Sequence, residues 1–172
     1  FYEAADLLKH TKLQANFVVD GETDPDKPAI IPDDLIEKWM NENIVECWGY
    51  RPDMQNLLPK ASIVVLPSYR EGFPKILIEA AACGRPVITT DVPGCRDAIY
   101  NTKTGILVPP QNVKALADAI KKLILDNHTR QMMGTKARQM SEVRFDEKMV
   151  ITKHLHIYKQ LVENVNKTKI DN

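Results

Sequence analysis

Five short apolar runs separated by helical patterns constrain the fold of this 172-residue chain more than any other feature. The runs cover residues 15–19, 44–48, 63–66, 86–90 and 105–108. Helical patterns cover residues 1–12, 33–43, 53–60, 75–83 and 95–99. Strands that are apolar on both faces and joined by helices are typical of parallel sheets covered on both sides. The alternation therefore predicts a doubly wound α/β domain.

The last third of the chain is predicted to be helical. Strand signals stop after residue 112, and helical patterns follow at residues 113–127, 128–142 and 146–164. The last pattern is long and amphipathic, and it would suit a surface that this chain does not contain. We expect one domain over residues 1–172, in which residues 113–172 form a helical extension. The proline-rich segment 22–32 reads as a surface connection, with Asp33 or Asp34 as the N-cap of the next helix.

Composition excludes several classes of function. Lysine plus arginine and aspartate plus glutamate number 23 each, so no net field attracts nucleic acid or an acidic membrane. The three cysteines lack the spacing of a zinc or redox motif, which favours a reducing compartment. Neither a secretory leader nor a membrane-spanning run is evident. The chain begins with a helical pattern that lacks both an initiator Met and an N-cap, which indicates a fragment of a soluble, cytoplasmic protein.

Sequence signals for a metal site or a redox cofactor are weak or absent. Asp24-Pro25-Asp26 matches a metal-binding Asp-x-Asp signature, but it lies in the proline-rich connection and is better explained as a solvated acidic turn. The four histidines have no ligand spacing. The Gly-x-Gly-x-x-Gly fingerprint of nicotinamide and flavin enzymes is absent from the sequence. We therefore expect neither a metal nor a redox cofactor.

The loop that follows the third apolar run carries the main functional signal. Ligands of open parallel sheets bind at the carboxyl ends of strands, which selects the loops 20–21, 49–53, 67–74 and 91–96. In the third loop, Gly72 permits a close approach of the backbone to a ligand, and Pro74 suits the first helical position. The amides of the residues after Pro74 would then be free to bind an anion such as a diphosphate. These residues are Lys75, Ile76 and Leu77.

Two glutamates flank this predicted anion site. Glu79 lies one turn beyond the amides, where its carboxylate would accept hydrogen bonds from the cis hydroxyls of a ribose. Glu71 precedes the turn and would point toward the group on the far phosphate. Either glutamate alone is more often a solvated side chain. Together with Gly72 and Pro74, they favour a ligand that has a sugar at each end of a diphosphate.

The stretch from Ser68 to Pro110 resembles family 4 of the retaining glycosyltransferases, which have the GT-B architecture. The resemblance rests on Glu71-Gly72-Phe73-Pro74, on Glu79-Ala80-Ala81-Ala82-Cys83-Gly84-Arg85-Pro86, on Thr90-Asp91-Val92-Pro93-Gly94 and on Gly105-Ile106-Leu107-Val108-Pro109. Weaker similarity covers residues 18–22 and 48–51. The resemblance implies that this chain is the Rossmann-like C-terminal half, which binds the sugar-nucleotide donor without a metal. An N-terminal half would bind the acceptor.

The resemblance also assigns roles to individual residues. It implies that Glu71 is the catalytic-site glutamate near the donor sugar and that Glu79 binds the ribose. Gly72, Phe73 and Pro74 would line the sugar pocket, Lys75, Ile76 and Leu77 would meet the phosphates, and Tyr50 with Arg51 would lie near the base. The Arg and the Lys with which the family neutralises the diphosphate are absent from this sequence. We therefore expect the chain by itself to bind weakly and to be inactive.

The sequence thus predicts a glycosyltransferase domain that uses a nucleotide-sugar donor, preferably a UDP-sugar, in the synthesis of bacterial surface polysaccharide or lipid-linked oligosaccharide. Alternatives are an epimerase or phosphorylase of the same architecture and a non-catalytic sugar-nucleotide-binding module. Arg96 with Asp97 fits a donor-facing pair or a helix cap. Basic residues of the extension fit either peripheral contact with the inner face of the plasma membrane or solvated helix faces. These are Lys121, Lys122, Arg130, Lys136 and Arg138.

Overall fold

The computed structural model describes residues 1–11, 13–21 and 32–170. Its strands are β1 (Val18–Val19), β2 (Glu46–Cys47), β3 (Val64–Leu66), β4 (Val87–Thr90) and β5 (Gly105–Val108). Its helices are α1 (Tyr2–Lys9), α2 (Asp33–Asn41), α3 (Met54–Leu57), α4 (Lys75–Ala82), α5 (Pro93–Ala98), α6 (Val113–Leu125), α7 (Asn127–Arg144) and α8 (Glu147–Ile170). The predicted connection 22–32, with Asp24-Pro25-Asp26, lies almost wholly outside the described residues.

Every strand pair is parallel within the described part of the chain. β4 lies between β3 and β5, with Val65 opposite Ile88 and Ile88 opposite Ile106. β1 and β2 form a separate two-stranded ladder in which Val18 lies opposite Glu46. Because each parallel connection within the three-stranded sheet runs through a helix, the predicted strand and helix alternation is confirmed.

Helices cover both faces of β4, whose four residues are all buried. Ile88 belongs to an apolar cluster with residues of α1 and α6, including Leu8, Leu116 and Ile120. Val87 belongs to a second cluster, which includes α4, α5 and the chain before β3. Alternate residues of a strand face opposite sides of a sheet, so β4 contributes to both clusters. The doubly wound, Rossmann-like α/β fold is confirmed.

Two local predictions are wrong. α2 begins at Asp33 with Pro32 as its N-cap residue, so Asp33 and Asp34 lie inside the first turn and neither is the N-cap. The predicted helix 53–60 is broken into α3 and a 3-10 turn at Leu58–Lys60. Pro59 lies in that turn, and because proline has no amide hydrogen it cannot donate the i→i−4 bond that would continue α3.

A glycine turn ends α4. Gly84 has a φ of +67°, and its amide donates to the carbonyl of Ala81 at 2.9 Å, while the amide of Arg85 donates to the carbonyl of Ala80 at 2.9 Å. These two bonds are the Schellman motif, in which a glycine adopts the left-handed conformation without the steric cost of a side chain. The chain then enters β4 directly.

The helical extension was predicted close to its observed bounds. α6 starts at Val113 under an Asn112 side chain that accepts the amide of Ala115 at 2.9 Å, and α7 follows after the single residue Asp126. α8 exposes large apolar side chains to solvent. Examples are Ile151, Leu155, Tyr158 and Leu161.

Candidate functional site

The loop predicted to carry the site follows β3 and is fixed to the end of β4. The buried hydroxyl of Thr89 donates to the carbonyl of Leu66 at 2.8 Å, and that of Thr90 donates to the carbonyl of Ser68. A buried hydroxyl that is fully hydrogen-bonded fixes the backbone that it contacts. Sequence reasoning missed both threonines, because their partners lie more than 20 residues away along the chain.

A second support for this loop comes from α5. If Gly94 carried a Cβ atom, that atom would overlap the carbonyl of Gly72 and would lie 2.5 Å from the carbonyl oxygen of Glu71. The backbone of the loop therefore packs directly on Gly94, and any larger residue at this position would displace the loop. The sequence contains Gly94 in a recognised motif, but the motif does not reveal which backbone it contacts.

The start of α4 differs in one respect from the prediction. Pro74 is the N-cap residue, one position before the first helical residue, and its carbonyl accepts the amide of Leu77 at 3.2 Å. The prediction that the Leu77 amide is free is therefore wrong. The amides of Lys75 and Ile76 have no backbone acceptor among the described residues. Two free amides, not three, face the region in front of the helix.

Gly72 lies next to these amides and borders open space. A Cβ atom added there would meet no protein atom within 4 Å. Phe73 is 44% exposed, whereas Pro74 is buried. Gly72, the two amides and the exposed Lys75 thus form one accessible surface at the carboxyl edge of the sheet.

The two predicted carboxylates flank these amides along the chain. Glu79 is exposed one turn into α4, and Glu71 is partly buried. No cation pairs with either of them in the described part of the chain. Burial raises the pKa of the Cys95 thiol of α5. The backbone carbonyl of Glu71 packs on Gly94 near the start of α5, so the loop that carries this carboxylate is held against that helix.

Aromatic residues connect the loop to the helical extension. The Phe73 ring packs against that of Phe145 at 5.6 Å between centroids. The guanidinium of Arg144 lies 5.0 Å from the Phe145 ring and 5.2 Å from that of Tyr100, at distances typical of cation–π contacts. The junction between α7 and α8 thus contacts the candidate site. No local sequence pattern indicates a role for Phe145 or Arg144.

Tyr50 and Arg51 lie in the loop after β2, and the structure does not place them in contact with the Glu71 loop. Arg51 makes a two-point ion pair with Asp53, at 3.0 and 3.1 Å, and its guanidinium lies 5.9 Å from the Trp48 ring. Tyr50 is exposed. Burial raises the pKa of Asp20, and the nearby charge of Arg51 opposes that rise. The amide of Gly21 donates to the carbonyl of Gly49 at 3.0 Å, so the predicted loops after β1 and β2 meet each other.

The structure corrects the predicted partner and the predicted cap role of Arg96. Its Nε donates to the Asp91 carboxylate at 2.6 Å, and it lies inside α5, whose N-cap residue is Val92. The partner is therefore Asp91 and not Asp97. This exposed pair closes the turn between β4 and α5, next to Gly94.

The part of the chain that the structure describes contains neither a cluster of metal ligands nor a membrane-spanning helix. No group of three or more His, Cys, Asp and Glu side chains in that part of the chain could hold a metal ion. None of the helices there combines the length and the apolar character that crossing a bilayer requires.

Comparison with known proteins identifies the family. The family described as "Glycosyl transferases group 1" matches residues 1–140. This chain therefore belongs to the group 1 glycosyltransferases, and the predicted resemblance is confirmed at the level of the GT-B glycosyltransferase domain.

Individual relatives agree with this assignment. The chain is 34% identical over 165 residues to the N,N'-diacetylbacillosaminyl-diphospho-undecaprenol alpha-1,3-N-acetylgalactosaminyltransferase of Campylobacter jejuni, covering 96% of this chain and 42% of the relative. The structure of sucrose-phosphate synthase from Thermosynechococcus elongatus superposes with a TM-score of 0.81 at 27% identity, over 95% of this chain and 42% of the other. A structure of S. aureus TarM in complex with ligands that include UDP superposes with a TM-score of 0.78 at 28% identity, over 91% and 31%. The chain thus spans less than half of these relatives.

Proposed function

We propose that residues 71–79 bind a nucleotide-diphospho-sugar and that the chain is the donor-binding half of a glycosyltransferase. One observation carries the proposal. Open space borders Gly72 beside the free amides of Lys75 and Ile76, with an exposed carboxylate one turn further along the helix. This surface lies at the carboxyl edge of a parallel sheet, where ligands of such folds bind.

The diphosphate would bind at the start of α4. Free amides and the positive end of the helix dipole stabilise an anion there without a metal ion. The exposed ammonium of Lys75 adds a positive charge beside them. Leu77 would contribute its apolar side chain to the core and not its amide to the phosphate, because that amide is already bonded to Pro74.

The two glutamates would bind the sugars at the two ends of the donor. Glu79 would accept hydrogen bonds from the ribose hydroxyls, and Glu71 would position the transferred sugar in a pocket lined by Gly72, Phe73 and Pro74. A carboxylate is a strong acceptor for paired hydroxyls. The base would lie toward Tyr50, whose exposed ring suits stacking, and toward Arg51, whose planar guanidinium lies over the Trp48 ring.

We further propose a UDP-sugar as donor and a lipid-linked saccharide as acceptor. The TarM complex contains UDP. The Campylobacter relative is named for transfer of N-acetylgalactosamine to an acceptor on diphospho-undecaprenol. Such an acceptor would bring the enzyme to the inner face of the plasma membrane from the cytoplasm. The other half of the protein would bind it.

The proposed reaction retains the configuration at the anomeric carbon. The leaving phosphate would accept the proton of the attacking hydroxyl on the same face of the sugar, so that no protein nucleophile is needed. Glu71 would then act by positioning the sugar and stabilising positive charge that develops on it.

The test is a transfer assay on the complete protein with UDP-N-acetylhexosamines and a lipid-diphosphate-linked acceptor. We expect release of UDP, an α-linked product from an α-linked donor, and a rate that falls at least tenfold in Glu71→Gln. Interconversion of the donor without an acceptor would indicate an epimerase. Tight binding of the donor without any turnover would indicate a binding module. Either result would contradict the proposal.

A further inference from the structure

A cavity of about 610 Å³ lies at the opposite edge of the sheet from the candidate donor site, between the turn after α4 and α7. Ser62 precedes β3 and Pro86 precedes β4, so this is the amino edge of the parallel strands. The charged residues of the lining are Arg85, Arg130 and Arg138.

The lining of the cavity carries positive charge and no negative charge. It contains three arginines and no aspartate or glutamate, and its remaining polar side chains are neutral amides and hydroxyls. In a chain of zero formal net charge, this concentration of positive charge is local. Only Arg138 has a carboxylate partner among the described residues, Glu142, at 2.7 Å. The cavity therefore favours an anion over a neutral or cationic ligand.

Arg85 lines the cavity and is the one arginine there whose side chain is not bonded to a backbone carbonyl or a carboxylate among the described residues. Its Nε is buried and has no hydrogen-bond partner within the described part of the chain, and an atom without accessible surface cannot be reached from the cavity. A ligand would therefore meet the outer N–H groups of this guanidinium. The Schellman turn at Gly84 places Arg85 directly between α4 and β4, at the wall of the cavity.

The other two arginines are held in place by backbone carbonyls. Arg130 donates to the carbonyls of Leu123 at 2.7 Å and Ile124 at 2.9 Å, at the end of α6. Arg138 donates to the carbonyl of Ala82, at the end of α4. Gly134 of α7 packs so closely on the carbonyl of Gly84 that a Cβ atom would overlap it. The cavity wall is thus fixed by contacts that exist without a ligand.

We propose that this cavity binds a phosphate ester that carries neighbouring hydroxyl groups. The guanidinium groups suit the phosphate, because arginine presents parallel N–H donors to phosphate oxygens. The amides of Gln131 and Gln139 suit the hydroxyl groups, because each amide can donate and accept, whereas the Asn127 oxygen already accepts from Arg130 at 2.7 Å. Two sources share this chemistry: a soluble sugar phosphate and a glycerophosphate headgroup of an anionic lipid. The site is separate from the proposed donor site and does not depend on it.

The test is calorimetric titration of the complete protein with saturating UDP present, so that phosphate binding at the donor site is blocked. The probes are inorganic phosphate, glucose 6-phosphate and glucose. A flotation assay with phosphatidylglycerol and phosphatidylcholine vesicles represents the lipid source. We expect saturable binding of glucose 6-phosphate or of the phosphatidylglycerol vesicles, with weaker binding of phosphate and none of glucose or phosphatidylcholine.

Variants separate the cavity from general surface charge. Arg85→Gln should weaken binding at least tenfold, because it removes a charge-assisted contact. Lys136→Gln removes one charge from the same helix outside the cavity, and it should leave the affinity within about twofold. Gln131→Ala provides a second cavity variant if Arg85→Gln lowers the folded fraction, as circular dichroism would reveal. The proposal is overturned if neither probe source binds, or if the two cavity variants bind as well as the wild type.

Discussion

At both edges of the three-stranded sheet a glycine lets a helix pack directly on backbone atoms, but the two surfaces that result differ in charge. At the carboxyl edge, Gly94 lets α5 pack on the backbone of the Glu71 loop, and at the amino edge Gly134 lets α7 pack on the turn at Gly84. The carboxyl edge then presents backbone amides between two carboxylates, whereas the amino edge presents three guanidinium groups. Backbone close packing fixes both surfaces, and the side chains decide which ligand each surface suits.

The largest effect is expected from adding one methyl group at the carboxyl edge. The Cβ of Gly94→Ala would overlap backbone atoms of Glu71 and Gly72, so the loop must move. Overpacking of this kind costs about 1–3 kcal/mol of folding free energy. We expect UDP affinity to fall more than tenfold in calorimetry at a temperature where the variant is folded.

The matched variant adds the same methyl group at the amino edge. The Cβ of Gly134→Ala would overlap the carbonyl of Gly84, so the free energy of unfolding should fall by a similar amount, about 1–3 kcal/mol. UDP affinity should stay within about twofold of the wild-type value. Equal losses of UDP affinity in both variants would show that general destabilisation, and not the position of the Glu71 loop, controls binding.

A smaller effect concerns the pH dependence of the protein's stability, through Asp126 at the amino edge. Hydrogen bonds from the hydroxyl and amide of Thr129, at 2.6 and 2.9 Å, hold the pKa of the Asp126 carboxyl below its usual value. A lowered folded-state pKa favours the charged form, so its stabilising contribution is complete above about pH 4 and is lost as the pH falls through the folded-state value. We expect the melting temperature to fall correspondingly below about pH 4.

Asp126→Asn is the matched control for this pH effect. Asparagine is also a good N-cap residue but does not titrate, so its melting temperature should depend less on pH over the same range. An identical acid dependence in the two proteins would assign the loss of stability to other carboxylates.

Local sequence patterns predicted much of the fold. The apolar run 105–108 coincides with β5, and the helix at 113 begins at the predicted residue. Both depend on periodicity and on neighbouring residues. The errors at Pro32 and at the break before Leu58 concern helix ends, where the backbone conformation of one residue decides the outcome.

The candidate site was predictable only in part. Glu71, Gly72 and Glu79 lie within one short segment, so their neighbourhood follows from the helix that starts at Lys75. The contacts of Thr89 and Gly94 with that loop join distant parts of the chain, and no local pattern encodes them. Arg85 was read only as part of a family motif. Its cavity exists because α7 packs on the turn at Gly84, a contact that also spans a long stretch of sequence.

Donor binding at the start of α4 is tested most directly by calorimetric titration of the protein with UDP, comparing the wild type with Glu79→Ala. Loss of charge-assisted hydrogen bonds to the ribose should weaken binding by about 1.5–3 kcal/mol, whereas Asp118→Ala, which removes an exposed carboxylate from α6, should have no effect. That result would support donor binding at the start of α4. UDP binding that is unchanged in Glu79→Ala would contradict the assigned ribose contact and, with it, the proposed orientation of the donor.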